Sequence, residues 1–127
     1  MIDDLQHGRL SHVGAVRTEN QDRCDAYVAT DKADTARRGS LFVVCDGMGG
    51  HNGGSIASAT AVEAVLESWR RLEGQGVRRR LAQSIDAANA AVRALAAADA
   101  ALRNMGTTLV AVAVRGALLG LEDEAAA

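Results

Sequence analysis

Asp46 is the residue whose surroundings first suggest chemistry. It follows an apolar run, LFVVC at 41–45, and begins a glycine-rich segment, DGMGGHNGGS at 46–55. An ionised carboxylate where a buried strand opens into a loop is costly unless a cation compensates it. Aspartate oxygens suit Mg²⁺ or Mn²⁺, and glycine lets a backbone carbonyl approach as a further ligand. The pattern favours a metal site, although the same glycines are also typical of a phosphate-binding nest or an ordinary turn.

A second polar segment, RTENQD at 17–22, connects two predicted strands. Arg17 offers the planar guanidinium that binds phosphate oxygens, and Asp22 is able to reach a metal ion or its water. A loop between strands can bring both side chains to one end of a sheet. Taken alone, however, Arg17 is typical of a surface arginine, because charged residues are usually exposed.

Three segments taken together resemble successive signatures of the metal-dependent protein phosphatase 2C family, in its order and at its spacing. They are SHVGAVRTENQD at 11–22, VCDGMGGH at 44–51 and MGTTLVA at 105–111. The resemblance implies a bacterial-type protein serine/threonine phosphatase whose substrate is phosphoserine or phosphothreonine on a protein. It also implies two Mn²⁺ or Mg²⁺ ions and a signalling role that opposes a serine/threonine kinase.

The resemblance implies roles for particular residues of this chain. Asp46 would bridge both metal ions, and Gly47 would give its carbonyl oxygen to one of them. Asp22 is implied at the metal site, where it orients metal-bound water, and Arg17 would hold the substrate phosphate. A metal-activated water would attack phosphorus directly, without a phosphoenzyme. Paired divalent ions lower the pKa of water towards neutrality and hold both oxygens of the displacement, which suits this reaction.

Two positions near the signatures depart from the family or leave a role open. Gln21 stands where glutamate is most common, which weakens hydrogen bonding to metal-bound water without removing a direct ligand. His51 is the last residue of the second signature and is interpreted as a solvated loop histidine rather than as a proton donor to the leaving group.

The resemblance covers only the first half of the family's domain. We therefore expect 1–127 to be a single truncated domain of the α+β class, half of a four-layer α-β-β-α sandwich with an antiparallel sheet and a helix pair. Half a sandwich leaves an apolar sheet face and an edge strand, ALLGL at 117–121, open to association with another copy or chain. The alternative to an active enzyme is an inactive pseudophosphatase fragment that binds phosphoproteins or regulates them.

Composition excludes several other classes of protein. The chain has 127 residues, 48% of them apolar and 24% charged, with a net charge of −2. This is globular composition with no excess charge for nucleic acid or a membrane surface. We find no secretory signal and no run of 18 apolar residues. Two cysteines make neither a disulfide framework nor a zinc site, so a cytoplasmic setting is expected. A nucleotide-binding nest is disfavoured, because neither a P-loop nor a G-x-G-x-x-G pattern is present.

The elements that must position these residues follow from periodicity. Strands are predicted at 10–16, 24–29, 41–45, 104–114 and 117–121, with 41–45 buried on both faces and 30–40 as a loop. One helix is predicted from the apolar face of Val62, Val65, Leu66 and Trp69, and a second from Leu81, Ile85, Ala88, Val92 and Leu95. The Arg78-Arg79-Arg80 run is interpreted as a solvated helix start. Grouping of like elements favours α+β over alternating βαβ.

Overall fold

A computed structural model of the chain describes residues 21–50 and 52–115. The described part contains an antiparallel sheet and a pair of long helices, which confirms the predicted α+β class. In chain order the elements are β1 (Asp22–Tyr27), α1 (Lys32–Arg37), β2 (Ser40–Met48), α2 (Gly53–Arg71), α3 (Val77–Ala98), a 3₁₀ turn (Ala100–Leu102), β3 (Gly106–Thr107) and β4 (Val110–Val114). Among the described residues, no helix is long and apolar enough to cross a membrane.

Strand β2 is the centre of the sheet. It pairs antiparallel with β1 along one edge and with β4 along the other, and its last two residues pair with β3. The register places Tyr27 opposite Leu41 on one side and Ala113 opposite Leu41 on the other. Because β2 is bonded on both sides, its backbone is the most firmly held of the described strands.

The side chains of β2 divide between two faces with the usual period of two. Leu41, Val43 and Cys45 are buried against α2 and α3, whereas Val44 is 54% exposed. The prediction that 41–45 is buried on both faces is therefore wrong for the described part of the chain. Both helices lie on the same face of the sheet, so only every second residue of this apolar run meets them.

Helix α2 buries the predicted stripe, with Val62, Val65 and Trp69 in the core and Leu66 partly buried against it. The prediction for α3 is wrong at Ile85 and Leu95, which are exposed.

The buried line of α3 instead runs through Arg80, Ser84 and Ala88, at intervals of four residues. Small side chains on this line allow α3 to approach α2 closely, and Ile85 is left at its edge. Arg78 and Arg79 are exposed as expected, but Arg80 is 1% exposed. The interpretation of the whole arginine run as solvated is therefore also wrong, because Arg80 points into the protein.

Other boundaries differ locally from the prediction. Strand β1 begins at Asp22, two residues earlier than predicted, and the predicted loop at 30–40 contains α1. The Asp31 side chain caps α1 by accepting a hydrogen bond from the Asp34 N–H at 2.7 Å. The predicted strand at 104–114 is divided into β3 and β4. The strands predicted at 10–16 and 117–121 lie outside the described residues.

Candidate metal centre

Asp22 and Asp46 lie directly opposite each other in the sheet. Asp22 is the first residue of β1, and its Cα partner across the antiparallel ladder is Asp46 of β2. Residues opposed in this way project from the same face, with Cβ atoms about 4.5–5.5 Å apart. The two acids predicted to serve one metal site are therefore brought together by strand register alone.

The pair lies on the face of the sheet opposite the helices. Asp46 is two residues after Val44 in β2 and shares its exposed face. The sequence placed Asp46 just after a strand, but β2 continues to Met48. Asp46 therefore lies within a paired strand. Hydrogen bonds of the sheet before and after it in β2 orient its carboxylate.

The backbone of Asp46 is held by Thr108. The Asp46 N–H donates to Thr108 Oγ1 at 3.2 Å, and the Asp46 carbonyl accepts from the Thr108 N–H at 2.9 Å. The Asp46 carboxylate itself is exposed and accepts no hydrogen bond from the described residues. Thr108 thus fixes the main chain while the side-chain oxygens stay available to a ligand. Thr108 belongs to the segment MGTTLVA at 105–111, but nothing in the sequence indicated its role.

Gly47 is enclosed by backbone from two other segments. Its N–H donates to the Gln21 carbonyl at 3.1 Å. A Cβ atom at this position would lie 1.9 Å from the Gly54 carbonyl oxygen and 2.8 Å from the Gln21 carbonyl oxygen. No larger residue fits without displacing main chain. The glycine therefore allows the start of α2 to pack against the end of β2, beside Asp46.

Gln21 ties the start of β1 to the glycine-rich segment. Its Nε2 donates to the Gly49 carbonyl at 3.3 Å, and a Cβ added at Gly54 would lie 2.5 Å from its Cδ. From the sequence, Gln21 was expected only to be a weaker substitute for glutamate. In the structure its amide holds the segment that follows Asp46. The only feature of the sequence that could have indicated this role is the position of Gln21 beside Asp22.

Cys45 lies next to Asp46 but on the other face. Burial raises the pKa of the Cys45 thiol to about 11, partly offset by a hydrogen bond with Thr107. The thiol is therefore protonated at neutral pH and is a poor metal ligand. Cys24 and Cys45 are both free cysteines, as the sequence predicted.

Arg17 and His51 lie outside the described residues. The predictions that Arg17 holds phosphate and that His51 is a solvated loop residue therefore stay predictions. Within the described ranges, no group of three or more His, Cys, Asp or Glu side chains is arranged to hold a metal ion. The donors brought together are the two carboxylates of Asp22 and Asp46, beside the tightly packed Gly47. Oxygen donors of this kind suit a hard divalent cation that keeps several waters.

Comparison with known proteins gives a match over most of the chain. Residues 12–121 match the family model described as Protein phosphatase 2C. The chain is 36% identical over 108 residues to the protein phosphatase PhpP of Streptococcus pneumoniae, a match that covers 83% of this chain and 41% of that protein. It spans about two fifths of the length of PhpP and of the serine/threonine phosphatase stp of Listeria innocua.

Solved structures give the same result. The serine/threonine phosphatase PstP/Ppp of Mycobacterium tuberculosis superposes with a TM-score of 0.66 at 31% identity, over 84% of this chain and 41% of that one. A structure of the PstP catalytic domain in complex with two manganese ions matches equally well, with a TM-score of 0.66, 31% identity, and coverage of 84% and 42%. The described sheet and helix pair are therefore those of half a phosphatase domain, as the predicted fold class required.

Proposed function

The chain belongs to the protein phosphatase 2C family, and on that premise we propose that it supplies part of the metal site of a protein serine/threonine phosphatase. The observation that carries the proposal is the register of β1 with β2, which sets Asp22 opposite Asp46 at one end of the sheet. The proposed substrates are phosphoserine and phosphothreonine on proteins, produced by a serine/threonine kinase. The names of the relatives, which are serine/threonine phosphatases, support this class of substrate.

We propose Mn²⁺ or Mg²⁺ as the cofactor, held by the carboxylates of Asp22 and Asp46 and by the carbonyl of Gly47. When bound, such ions supply an activated water and neutralise charge on the transferred phosphoryl group. The chain's own residues hold the proposed metal ligands in place and orient them. Thr108 fixes the Asp46 backbone, and Gln21 joins the start of β1 to the segment after Asp46. Arg17 is proposed to grip the substrate phosphate through its guanidinium.

Substitution of Asp46 tests the proposal. Asp46→Asn keeps the shape of the side chain but removes its negative charge. We expect Mn²⁺-dependent hydrolysis of a small aryl phosphate to fall by roughly 100-fold or more, since loss of even an outer partner of a metal site costs about 10–100-fold. Mn²⁺ binding, followed by the electron paramagnetic resonance of the free ion, should weaken in parallel. Asp86→Asn, the same change at an exposed position on α3, should alter neither measurement.

Full activity and Mn²⁺ affinity in Asp46→Asn would contradict the proposal. A different result would favour the alternative function. If the chain binds phosphopeptides but shows no metal-dependent turnover, it acts as a phosphoprotein-binding or regulatory module. Loss of that binding in Arg17→Ala would then identify the phosphate-gripping residue. A cytoplasmic location is proposed from the free thiols of Cys24 and Cys45, and cell fractionation with an antibody would test it.

A further inference from the structure

A cavity lies at the other end of β2, far from the metal centre. It has a volume of about 300 Å³ and lies between α1, the end of α2 and the start of α3. Three arginines contribute to its wall, Arg37, Arg38 and Arg80, and we call it the arginine pocket. Asp46 lies six residues beyond the start of β2 at Ser40, which places the two sites roughly 20 Å apart along the strand. The arginine pocket is therefore separate from the Asp22–Asp46 pair.

Arg80 is a buried cation that forms no salt bridge with a carboxylate of the described residues. Its Nη1 donates to the Arg38 carbonyl at 2.9 Å, its Nη2 donates to the Trp69 carbonyl at 3.2 Å, and its guanidinium carbon lies 3.9 Å from the centroid of the Trp69 ring. The Nε atom is buried and has no hydrogen-bond partner. Neutral acceptors therefore orient this guanidinium, but none of its contacts neutralises its charge. A buried charge in this state is costly, and an anion would relieve it.

Arg38 is already shared between two acids. Its Nη1 bonds Asp34 Oδ1 at 2.9 Å and its Nη2 bonds Glu73 Oε1, while its Nε is buried without a hydrogen-bond partner. The Glu73 side chain is 65% exposed. An exposed carboxylate gains little from a single ion pair, so an incoming anion can replace it at low cost.

Positive charge exceeds negative charge around the pocket. Arg37 is exposed in the last turn of α1 and makes no ion pair within the described part of the chain. Burial, and after it the positive charges of Arg38 and Arg115, lowers the pKa of Arg80, against a smaller opposing effect of Asp34 and Glu73. The wall therefore sets two carboxylates, Asp34 and Glu73, against three arginines.

The start of α3 adds to this excess. The first turn of the helix carries Arg78, Arg79 and Arg80 and no acidic residue, and its N-cap, Gly76, offers no side-chain hydrogen bond. The amino end of a helix is itself positive, so cations there are unfavourable by about 0.3–1 kcal/mol each. Three arginines in this position are explained if an anion binds beside them.

We propose that the arginine pocket binds a phosphate group, at a site distinct from the metal centre. Guanidinium groups present paired N–H donors that match the geometry of phosphate oxygens. The cavity volume equals that of about ten liquid waters at roughly 30 Å³ each, which is ample for a phosphate with its hydration. The guanidinium groups of Arg38 and Arg80 line the cavity, and Arg37 is the cation at its rim that makes no ion pair within the described residues. The phosphate is either free in solution or carried on a phosphorylated residue of a protein.

The fluorescence of Trp69 reports phosphate binding directly, because Trp69 is the only tryptophan of the 127 residues and Arg80 stacks on it. The full chain is titrated with inorganic phosphate in a chelator, without divalent ions, so that the metal centre does not contribute. We expect a saturable change in tryptophan fluorescence that chloride at equal ionic strength does not cause. Arg37→Ala should weaken the apparent affinity about tenfold, the effect of losing one charge-assisted hydrogen bond. Arg93→Ala, which removes the same charge from an exposed site on α3, should leave the affinity unchanged.

A second measurement covers the case in which phosphate binds without changing the fluorescence of Trp69. The arginine Nε–Hε signals in ¹H–¹⁵N spectra should shift for Arg38 and Arg80 during the same titration, and circular dichroism should show Arg37→Ala to be folded. A phosphoserine tetrapeptide that binds at least tenfold more tightly than inorganic phosphate would identify a phosphoprotein segment as the source, and equal affinities would identify free phosphate. Both results support the site. No saturable change in either measurement, or equal weakening by Arg37→Ala and Arg93→Ala, would overturn it. The outcome does not depend on the proposed phosphatase activity.

Discussion

The two faces of β2 serve opposite purposes although their residues alternate along one strand. Leu41, Val43 and Cys45 are buried under the helices, whereas Val44 and Asp46 are exposed on the other face. Strand geometry makes this division automatic, since neighbouring side chains point in opposite directions. One strand therefore supplies the core with one set of residues and the candidate metal site with the other. Substitutions at adjacent positions should consequently separate stability from metal binding.

The two faces are also held in different ways. On the buried face, side chains pack on one another, and the Trp69 Nε1 donates to the Gly39 carbonyl at 3.3 Å. On the open face, the acidic pair is positioned by main-chain bonds of the β1–β2 ladder and by Thr108. Positioning by backbone leaves the carboxylate oxygens of Asp46 available to ligands, which a close-packed side-chain cluster would not do.

Gly47 links the two faces, and its replacement should have the largest effect. It belongs to the buried set, yet it packs against the segment that follows the metal pair. Gly47→Ala should lower the free energy of unfolding in urea by about 3 kcal/mol, because the new methyl group would overlap the Gly54 carbonyl. Mn²⁺ affinity should fall as well, since the ladder beside Asp46 must shift.

Gly50→Ala is the matched control for this prediction. A Cβ atom at Gly50 meets no heavy atom within 4 Å. The free energy of unfolding should change by less than about 0.5 kcal/mol, as is usual for surface substitutions. Equal effects of the two alanine variants would show that the close packing around Gly47 does not decide the geometry of the site.

Two neighbouring valines test the division of β2 into a buried face and an exposed face. Val43 is 1% exposed, and Val44 is 54% exposed. Val43→Ala should cost about 2 kcal/mol of unfolding free energy, from the lost burial and the cavity left behind. Val44→Ala removes the same atoms from the open face and should cost less than about 0.5 kcal/mol. Urea unfolding of both variants at a protein concentration too low for association gives the comparison, and a difference below about 1 kcal/mol would mean that both faces are covered within a single chain.

The sequence predicted the helices and strands more completely than it predicted which of their faces are buried. Helix α2 was anticipated because Val62, Val65 and Trp69 recur at helical spacing, and that signal depends on local order alone. The face on which Val44 lies could not be anticipated in the same way. An apolar run does not say how many layers cover it, since that depends on where distant helices pack.

The candidate site shows the same limit. Asp46 and Asp22 were singled out by their positions in the sequence and given roles by a resemblance, but their opposition rests on a register between residues 24 positions apart. No single-sequence pattern predicts that register, or the contact of Thr108 with the Asp46 backbone. Arg80 was misjudged because charged residues are usually exposed, and only the packing of α3 against Trp69 reveals why this one is buried.

Substitution on the open face should have a small effect on unfolding, but a distinct effect on assembly. Val110 and Val112 are 63% and 55% exposed, and they lie beside Val44 and Phe42 in the register of β4 with β2. Contiguous apolar surface of this kind favours association, so we propose that a second copy of the chain packs on this face. Sedimentation should show concentration-dependent association that Val112→Lys abolishes, at a cost of less than about 1 kcal/mol in unfolding free energy. Ala82→Lys adds the same charge at an exposed position on α3 and should leave association intact. Two results would contradict this proposal: the chain with Val112 unchanged sediments as a monomer at every concentration, or both lysine variants behave alike. In either case the exposed valines of β4 do not form a contact between copies. The division between the faces of β2 would then concern only folding and the metal pair.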